Sequence, residues 1–223
     1  MIISHKYKFI FIKTRKTAGT SIEYNLSKYL GKDDIITPSS EAKYLAQNYY
    51  LETKISSFLK FLNLKNISYS FKKKIYDHIH ASQLRNIIDK NIYNNYFKFC
   101  VEREPVDKCL SYYFMRKNSP SSSYQRKNMT WDEFVKKKRF PVDANFYSYN
   151  NNLIVNKIIK YENLNEELES LLNSLGVNNF KIIKKVNNIY REDDPCVSME
   201  QKKIIYHHFK PSLKFIKYDI NQL

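Results

Sequence analysis

Residues 9–23 read FIFI-KTRKTAG-TSIE and set the organisation of this 223-residue chain. The first four residues are aromatic and β-branched, which is typical of a strand near the centre of a sheet, and we predict a strand over residues 8–12. After the loop, apolar residues return at helical spacing, at Ile22, Leu26, Tyr29 and Leu30. Gly31 follows where a helix C-cap is expected. The stretch therefore predicts a strand, a tight basic loop and a helix.

The loop of this unit has the chemistry of an anion-binding site. A helix N-terminus presents N–H groups without intrahelical partners and carries a partial positive charge. Gly19 would let the backbone approach a ligand closely, Thr20 and Ser21 add hydroxyl donors, and Lys16 adds a full charge. The loop is not a Walker A sequence, because its lysine precedes the glycine. Taken alone, the loop is more typical of a basic surface turn.

A second segment repeats the same plan. Residues 97–105 read FKFCVEREP, and residues 106–114 read VDKCLSYYF. Pro105 suits the first turn of a helix, so we predict a strand that ends near Arg103 and a helix that carries Ser111. Ligands of open α/β sheets bind at the carboxyl ends of the strands. Two anion-binding loops at that edge therefore predict a ligand with two separate phosphate groups.

These two motifs resemble those of a known family. KTAGTS at residues 16–21 resembles the 5′-phosphosulfate loop of sulfotransferases that use 3′-phosphoadenosine 5′-phosphosulfate (PAPS). Arg103 with Ser111 resembles their 3′-phosphate site. The similarity is greatest to carbohydrate-type and bacterial members. It implies a three-layer α/β fold of P-loop type with a central parallel sheet of about four or five strands, in a single domain over residues 1–223.

The resemblance also implies roles for individual residues. PAPS would be the donor and 3′-phosphoadenosine 5′-phosphate (PAP) the product, with no metal, because basic side chains neutralise the transferred group. Lys16 would stabilise the bridging oxygen as the bond to sulfur breaks. The implied donor-binding residues are Arg15, Lys16, Thr17, Ala18, Gly19, Thr20, Ser21, Arg103, Ser111 and Arg191. Many members have proline where this chain has Arg15, so Arg15 and the neighbouring Lys13 are expected to change how the loop holds sulfate.

Sulfo transfer to a hydroxyl also needs a base, and histidine titrates in the right range without help. Residues 75–85 read IYDHIHASQLR, which we interpret as the end of a strand followed by a short helix with Ser82 as its N-cap. By the resemblance and by its place at the strand end, His80 is the favoured base. His78 would lie on the same face of the strand and stays an alternative. A pair of structural histidines is the third interpretation.

Composition limits the class of protein. The formal charge is +16, which favours anionic partners of several kinds, including nucleotides, acidic glycans, nucleic acids and membrane surfaces. Three cysteines show no metal-ligand spacing. No stretch approaches the roughly 20 apolar residues of a membrane span, and no secretory signal is visible. We therefore expect a cytoplasmic protein of bacterial type.

The sequence thus favours a PAPS-dependent sulfotransferase that acts on a hydroxyl of a saccharide or glycoconjugate, with an acidic acceptor suiting the charge. No nucleic-acid partner is expected, whereas peripheral contact with a membrane is compatible with the charge. The oligomeric state is not indicated. Two alternatives stay open, a P-loop kinase-like nucleotide enzyme and a basic nucleic-acid-binding protein, which would bind in a strongly salt-dependent way.

Overall fold

The computed structural model describes residues 1–37, 77–119, 123–182 and 194–219. Arg191, implied above as a donor-binding residue, lies outside the described residues. The strands are β1 (Ile2–Ser4), β2 (Phe9–Ile12), β3 (Ile35–Ile36), β4 (Phe97–Glu102), β5 (Ser148–Tyr149), β6 (Asn152–Leu153) and β7 (Lys157–Lys160). The helices are α1 (Gly19–Leu26), α2 (Ala81–Leu84), α3 (Lys90–Asn95), α4 (Pro105–Asn118), α5 (Tyr124–Lys127), α6 (Trp131–Lys137), α7 (Ala144–Tyr147), α8 (Leu164–Ser174) and α9 (Met199–Leu213).

In this part of the chain, five strands form the central sheet in the order β3-β1-β2-β4-β7. β2 pairs with β4 in parallel, and β4 pairs with β7 in parallel. β1 runs antiparallel to both of its neighbours, β2 and β3. The predicted α/β fold with a central sheet is therefore confirmed, and the sheet is mixed because of one short strand.

Apolar side chains cover both faces of the sheet. Along β2, Phe9 and Phe11 belong to a core that includes residues of α1 and α8. The alternate residues Ile10 and Ile12 belong to a second core with residues of α2 and α7. All four side chains are fully buried, as expected for a strand in the middle layer of three, where successive side chains point to opposite faces.

A third core joins helices at the side of the sheet. It contains residues of α4, α6 and α9, with Trp131 and Phe134 stacked at 5.4 Å between ring centroids. Capping boxes begin two of these helices, at Thr130 before α6 and at Ser198 before α9. In both, the N-cap hydroxyl accepts from the N–H three residues later, which fixes the start of the helix.

The sheet places two loops at one edge. β2 and β4 are in register from Phe9 opposite Phe97 to Ile12 opposite Cys100. The chain therefore leaves both strands at the same end, into the loop that begins at Lys13 and the turn that begins at Arg103. β7 ends beside them, with Lys160 opposite Glu102.

Three local expectations were wrong. α1 ends at Leu26, and Gly31 lies in a later turn, where its N–H donates to the Asp34 carboxylate at 2.9 Å. Residues 77–80 form a turn and an irregular stretch instead of a strand, and the N-cap of α2 is His80, not Ser82.

Candidate active site at the edge of the sheet

The loop between β2 and α1 has an unusual backbone. Lys16 and Ala18 are left-handed, with φ of 62° and 58°. Such conformations are strained for residues with a Cβ and cluster at functional sites, and they also occur in the backbone concavities that bind anions. Ala18 is the N-cap of α1 and forms no side-chain hydrogen bond to the helix. This helix therefore begins without the polar side chain that usually caps an N-terminus.

The base of the loop is fixed by two threonines. The Thr14 hydroxyl donates to the carbonyl of Val101 on β4. Thr17 is fully buried, and its hydroxyl lies 2.8 Å from that of Thr14 and donates to the Thr14 carbonyl at 3.2 Å. The Thr17 hydroxyl thus stabilises the loop itself. If Thr17 contacts a bound sulfo-group donor, we expect it to do so through its backbone.

The remaining predicted loop residues begin α1. Gly19, Thr20 and Ser21 form its first turn, in which Thr20 is half-buried and Ser21 is buried. Lys16 is half-buried on the loop before them. The structure thus groups Lys16 with the hydroxyl-bearing turn, as the sequence predicts, and the roles of these residues in donor binding stay predictions.

Gly19 is required by a neighbouring lysine. A Cβ at Gly19 would lie 2.6 Å from Cγ of Lys13. The Lys13 side chain passes over Gly19 and ends in a buried cluster, where Nζ lies 2.8 Å from Oε2 of Glu23 and 2.9 Å from Oδ2 of Asp77. Burial opposes the Lys13 ammonium, but Glu23 and Asp77 outweigh it and raise the pKa of Lys13. The glycine that the sequence assigns to ligand approach therefore makes room for this ion pair.

Arg15 is held by a residue far along the chain. Its backbone N–H donates to Oδ2 of Asp143 at 2.7 Å, and its Nε donates to Oδ1 at 2.6 Å. Nη2 donates to the Val142 carbonyl at 3.0 Å. The guanidinium also lies 5.6 Å from the Phe146 ring centroid. The conformation of Arg15 is thus set by residues 142–146.

Both candidate histidines lie beside this loop. The Nδ1 of His78 is 3.0 Å from the Lys13 carbonyl. A carbonyl only accepts, so Nδ1 carries the hydrogen and Nε2 is the nitrogen that can take a proton. His78 has a left-handed backbone with φ of 60°, which belongs to a turn and not to the strand end expected from the sequence.

His80 packs edge-on against the same Phe146 that lies near Arg15, with ring centroids 4.5 Å apart. Burial lowers the pKa of His80, with Asp143 opposing and Arg15 reinforcing that shift. A lowered pKa keeps the imidazole neutral and able to accept a proton near neutral pH. Both histidines are partly exposed, so the geometry keeps both as candidates for the base.

The second loop meets the first through Arg103. Its Nη1 donates to the Lys16 carbonyl at 3.2 Å, and its Nε pairs with Asp107. The guanidinium lies 4.0 Å from the Tyr161 ring centroid. A guanidinium has five N–H donors, so these contacts leave donors for a ligand. Ser111 is buried on α4, about 9 Å along the helix axis from Pro105.

A buried network of charged residues connects the two loops. Lys108 on α4 is fully buried and pairs with Glu102 at the end of β4, and its Nζ lies 2.9 Å from Oδ2 of Asp143. The Tyr147 hydroxyl donates to the other oxygen of Glu102 at 3.0 Å. Burial opposes the Lys108 ammonium, but Glu102 and Asp143 outweigh it and raise its pKa.

Comparison with known proteins decides the family. A model of the sulfotransferase family matches residues 1–194. The chain belongs to the sulfotransferase family. An uncharacterized protein of Archaeoglobus fulgidus is 31% identical over 102 residues, which cover 44% of this chain and 82% of the relative. No solved structure matches the chain.

Membership of the sulfotransferase family confirms the resemblance seen in the two motifs and supports a transferase that moves a sulfo group. Across the described ranges, this sulfotransferase has no helix long and apolar enough to cross a membrane. The same residues contain no cluster of three or more histidine, cysteine or acidic side chains placed to hold a metal. The cytoplasmic location stays a prediction.

Sequence reasoning missed the acidic partners in this sulfotransferase. Glu23, Asp77, Glu102 and Asp143 bind the basic residues around the two loops. Glu23 and Glu102 lie within the two motifs quoted above. A charged residue inside an otherwise apolar strand or helix face was the available signal, because such a charge is rarely buried without a partner. Asp143 carries no such signal in its neighbourhood.

Proposed function

We propose that the chain transfers a sulfo group from PAPS to a hydroxyl of a saccharide or glycoconjugate. One observation carries the choice of donor, the hydrogen bond from Arg103 to the Lys16 carbonyl at 3.2 Å. It brings two basic loops together at one sheet edge, and each loop suits one phosphate-type group. A nucleotide with groups on both its 3′ and 5′ positions matches two loops better than ATP, whose phosphates form a single chain.

The residues present fit this donor. Lys16 and the first turn of α1 would hold the 5′ end, with backbone N–H groups and hydroxyls as hydrogen-bond donors. Arg103 and Ser111 would hold the 3′-phosphate, where a guanidinium binds in a planar, bidentate way. When bound, PAPS supplies an activated sulfo group. The chain itself supplies position and positive charge, which are the main sources of rate in such transfers.

In the proposed reaction, a histidine acts as the general base and accepts the proton of the acceptor hydroxyl. We favour His80 as the base, because its lowered pKa leaves it neutral. His78 is the alternative, because its Nδ1 is bound to the Lys13 carbonyl and its Nε2 is the nitrogen left to accept a proton. The Lys16 ammonium would stabilise the charge that develops on the departing phosphate during an in-line displacement.

The class of acceptor is proposed from the net charge of the protein. A net charge of +16 favours acidic glycans among hydroxyl-bearing acceptors. The proposal includes no nucleic-acid partner, and the location proposed from the sequence is the cytoplasm.

A ligand comparison tests this function. Thermal stabilisation of the protein is measured with PAP, with ATP and Mg²⁺, and with a short RNA. We expect a large shift with PAP alone, and we expect Lys16→Ala or Arg103→Ala to reduce it strongly. Equal shifts with PAP and ATP would favour a kinase-like enzyme. A salt-sensitive shift with RNA alone would favour a nucleic-acid-binding protein.

A further inference from the structure

Asp143 binds Arg15 of the first loop and Lys108 of α4, and it lies outside both of these segments. It is fully buried and directly precedes α7. Its two carboxylate oxygens take three donors from other parts of the chain. These are the Arg15 backbone N–H, the Arg15 Nε and the Lys108 Nζ, at 2.7, 2.6 and 2.9 Å.

We infer that Asp143 is a positioning residue that holds the donor loop in its binding shape through Arg15. This inference rests on the proposed function, since the loop is taken as the 5′ site of the donor. Asp143 itself would act on donor binding indirectly, through its contacts with Arg15.

The backbone of the loop makes such an anchor necessary. Lys16 and Ala18 are left-handed, and strained conformations of this kind persist only where the surroundings fix them. The N–H that Asp143 holds belongs to the residue directly before Lys16. Two other contacts fix the loop from the β4 side, Thr14 to the Val101 carbonyl and Arg103 to the Lys16 carbonyl. Asp143 is a third anchor, three residues before Phe146, against which the rings of His78 and His80 pack.

The same carboxylate reaches the second loop. Lys108 binds both Asp143 and Glu102, and Oε1 of Glu102 accepts from the backbone N–H of Arg103 at 3.0 Å. A continuous chain of charged hydrogen bonds therefore runs from Arg15 to Arg103. One end is Arg15, which directly precedes Lys16 of the proposed 5′ site. The other end is Arg103, which belongs to the proposed 3′ site.

This geometry gives Arg15 an indirect role. Its Nε and Nη2 are directed to Asp143 and the Val142 carbonyl. What the loop then needs from Arg15 is a hydrogen-bond donor at the position of Nε, and a positive charge is not essential. Glutamine places its amide nitrogen at the same position along the side chain as the Nε of arginine, without the charge.

The test measures the dissociation constant of PAP for purified variants at a temperature where each is fully folded. We expect Asp143→Asn to raise the Kd about tenfold, because an amide cannot accept all three donors. Asp34→Asn is the matched control. Asp34 is also buried and accepts the backbone N–H groups of His5, Lys6 and Gly31, but it binds the turn at the other end of β2. Its variant should lose thermal stability and keep the PAP affinity of the wild type.

A second pair of variants decides the matter if Asp143→Asn does not fold. Arg15→Ala is expected to raise the Kd about tenfold, and Arg15→Gln to keep it within about threefold of the wild type. Equal losses in the two would mean that a hydrogen-bond donor at the Nε position does not hold the loop in its binding shape, and the inference would be wrong. It would also be wrong if Asp143→Asn bound PAP like the wild type. A wild type that does not bind PAP would instead overturn the proposed function.

Discussion

The two strand–loop–helix units of this protein use the same buried device with opposite polarity. In the first unit the lysine directly follows the strand and the acid lies on the helix, as Lys13 and Glu23. In the second the acid ends the strand and the lysine lies on the helix, as Glu102 and Lys108. Each pair ties a strand end to the helix that follows, and so fixes the loop between them.

The units differ at the start of the helix. α1 begins at Gly19, and its N-cap residue Ala18 provides no side-chain cap. α4 is capped by Glu104, whose carboxylate accepts from the N–H groups of Val106 and Asp107 at 3.0 and 2.7 Å. An anion is already present at the second N-terminus. The first unit is thus suited to bind an anion with the N–H groups of its backbone, and the second with two side chains, those of Arg103 and Ser111.

The two candidate bases, His78 and His80, lie beside the first unit. His80→Ala is expected to lower the rate of PAP formation from PAPS, with a panel of saccharide acceptors, by about 100- to 10,000-fold. PAP binding should be retained. His207→Ala, at an exposed histidine of α9, serves as the control with unchanged rate. Retained turnover in His80→Ala would move the base to His78.

The pH dependence of kcat/KM sharpens the same assignment. The neutral imidazole is the active form, so the rate should fall as the pH drops through the pKa of His80. Burial lowers that pKa, so the midpoint of the acid limb should lie below the ordinary histidine value of 6.5. A midpoint above that value would argue against His80.

The buried pair of the second unit should matter most for stability. Lys108→Met leaves Glu102 and Asp143 buried without their shared cation. We expect the free energy of unfolding, measured with chemical denaturant, to fall by about 3–5 kcal/mol. Lys157→Met is the control, because the ion pair of Lys157 with Glu167 is long and partly exposed, and its loss should cost within about 1 kcal/mol.

The glycine of the first unit should have the next largest effect. Gly19→Ala sets a methyl 2.6 Å from Cγ of Lys13, and we expect a loss of about 1–3 kcal/mol in the free energy of unfolding. At Gly31 the nearest atom would be Cβ of Lys6 at 3.3 Å, so Gly31→Ala should cost less. Equal costs would show that Lys13 moves aside freely.

The helix cap of the second unit should have the smallest effect. Glu104→Ala removes the carboxylate that caps α4, with an expected loss of about 1 kcal/mol. The affinity for PAP, measured by calorimetry, should change little, because this helix terminus is not proposed to hold the ligand. A large change in affinity would place the N-terminus of α4 in the donor site.

Sequence patterns predicted the two units because their information is local. Strand alternation, Pro105 and the spacing of apolar residues lie within a few residues of each other, and the structure places β2, β4 and α4 accordingly. β1 has three residues, too few for a periodic pattern. The turn at His78 was missed, because nothing in its neighbours indicates a left-handed backbone.

The roles of Lys13 and Arg15 depend on partners that sequence order does not bring together. Lys13 binds Asp77, 64 residues later, and Arg15 binds Asp143, 128 residues later. Only the folded sheet and its covering helices place these charges together. The types of residue at the candidate site could thus be predicted, whereas their mutual contacts could not.

We propose that the first loop holds a 5′ group and the second a 3′-phosphate. The most direct test is the ratio of the dissociation constants of adenosine 5′-phosphate and PAP, measured for the wild type, Lys16→Ala and Arg103→Ala. We predict that the wild type prefers PAP, that Lys16→Ala weakens both ligands while keeping the preference, and that Arg103→Ala removes the preference. A wild type without preference, or an Arg103→Ala variant that keeps it, would contradict the two-loop assignment.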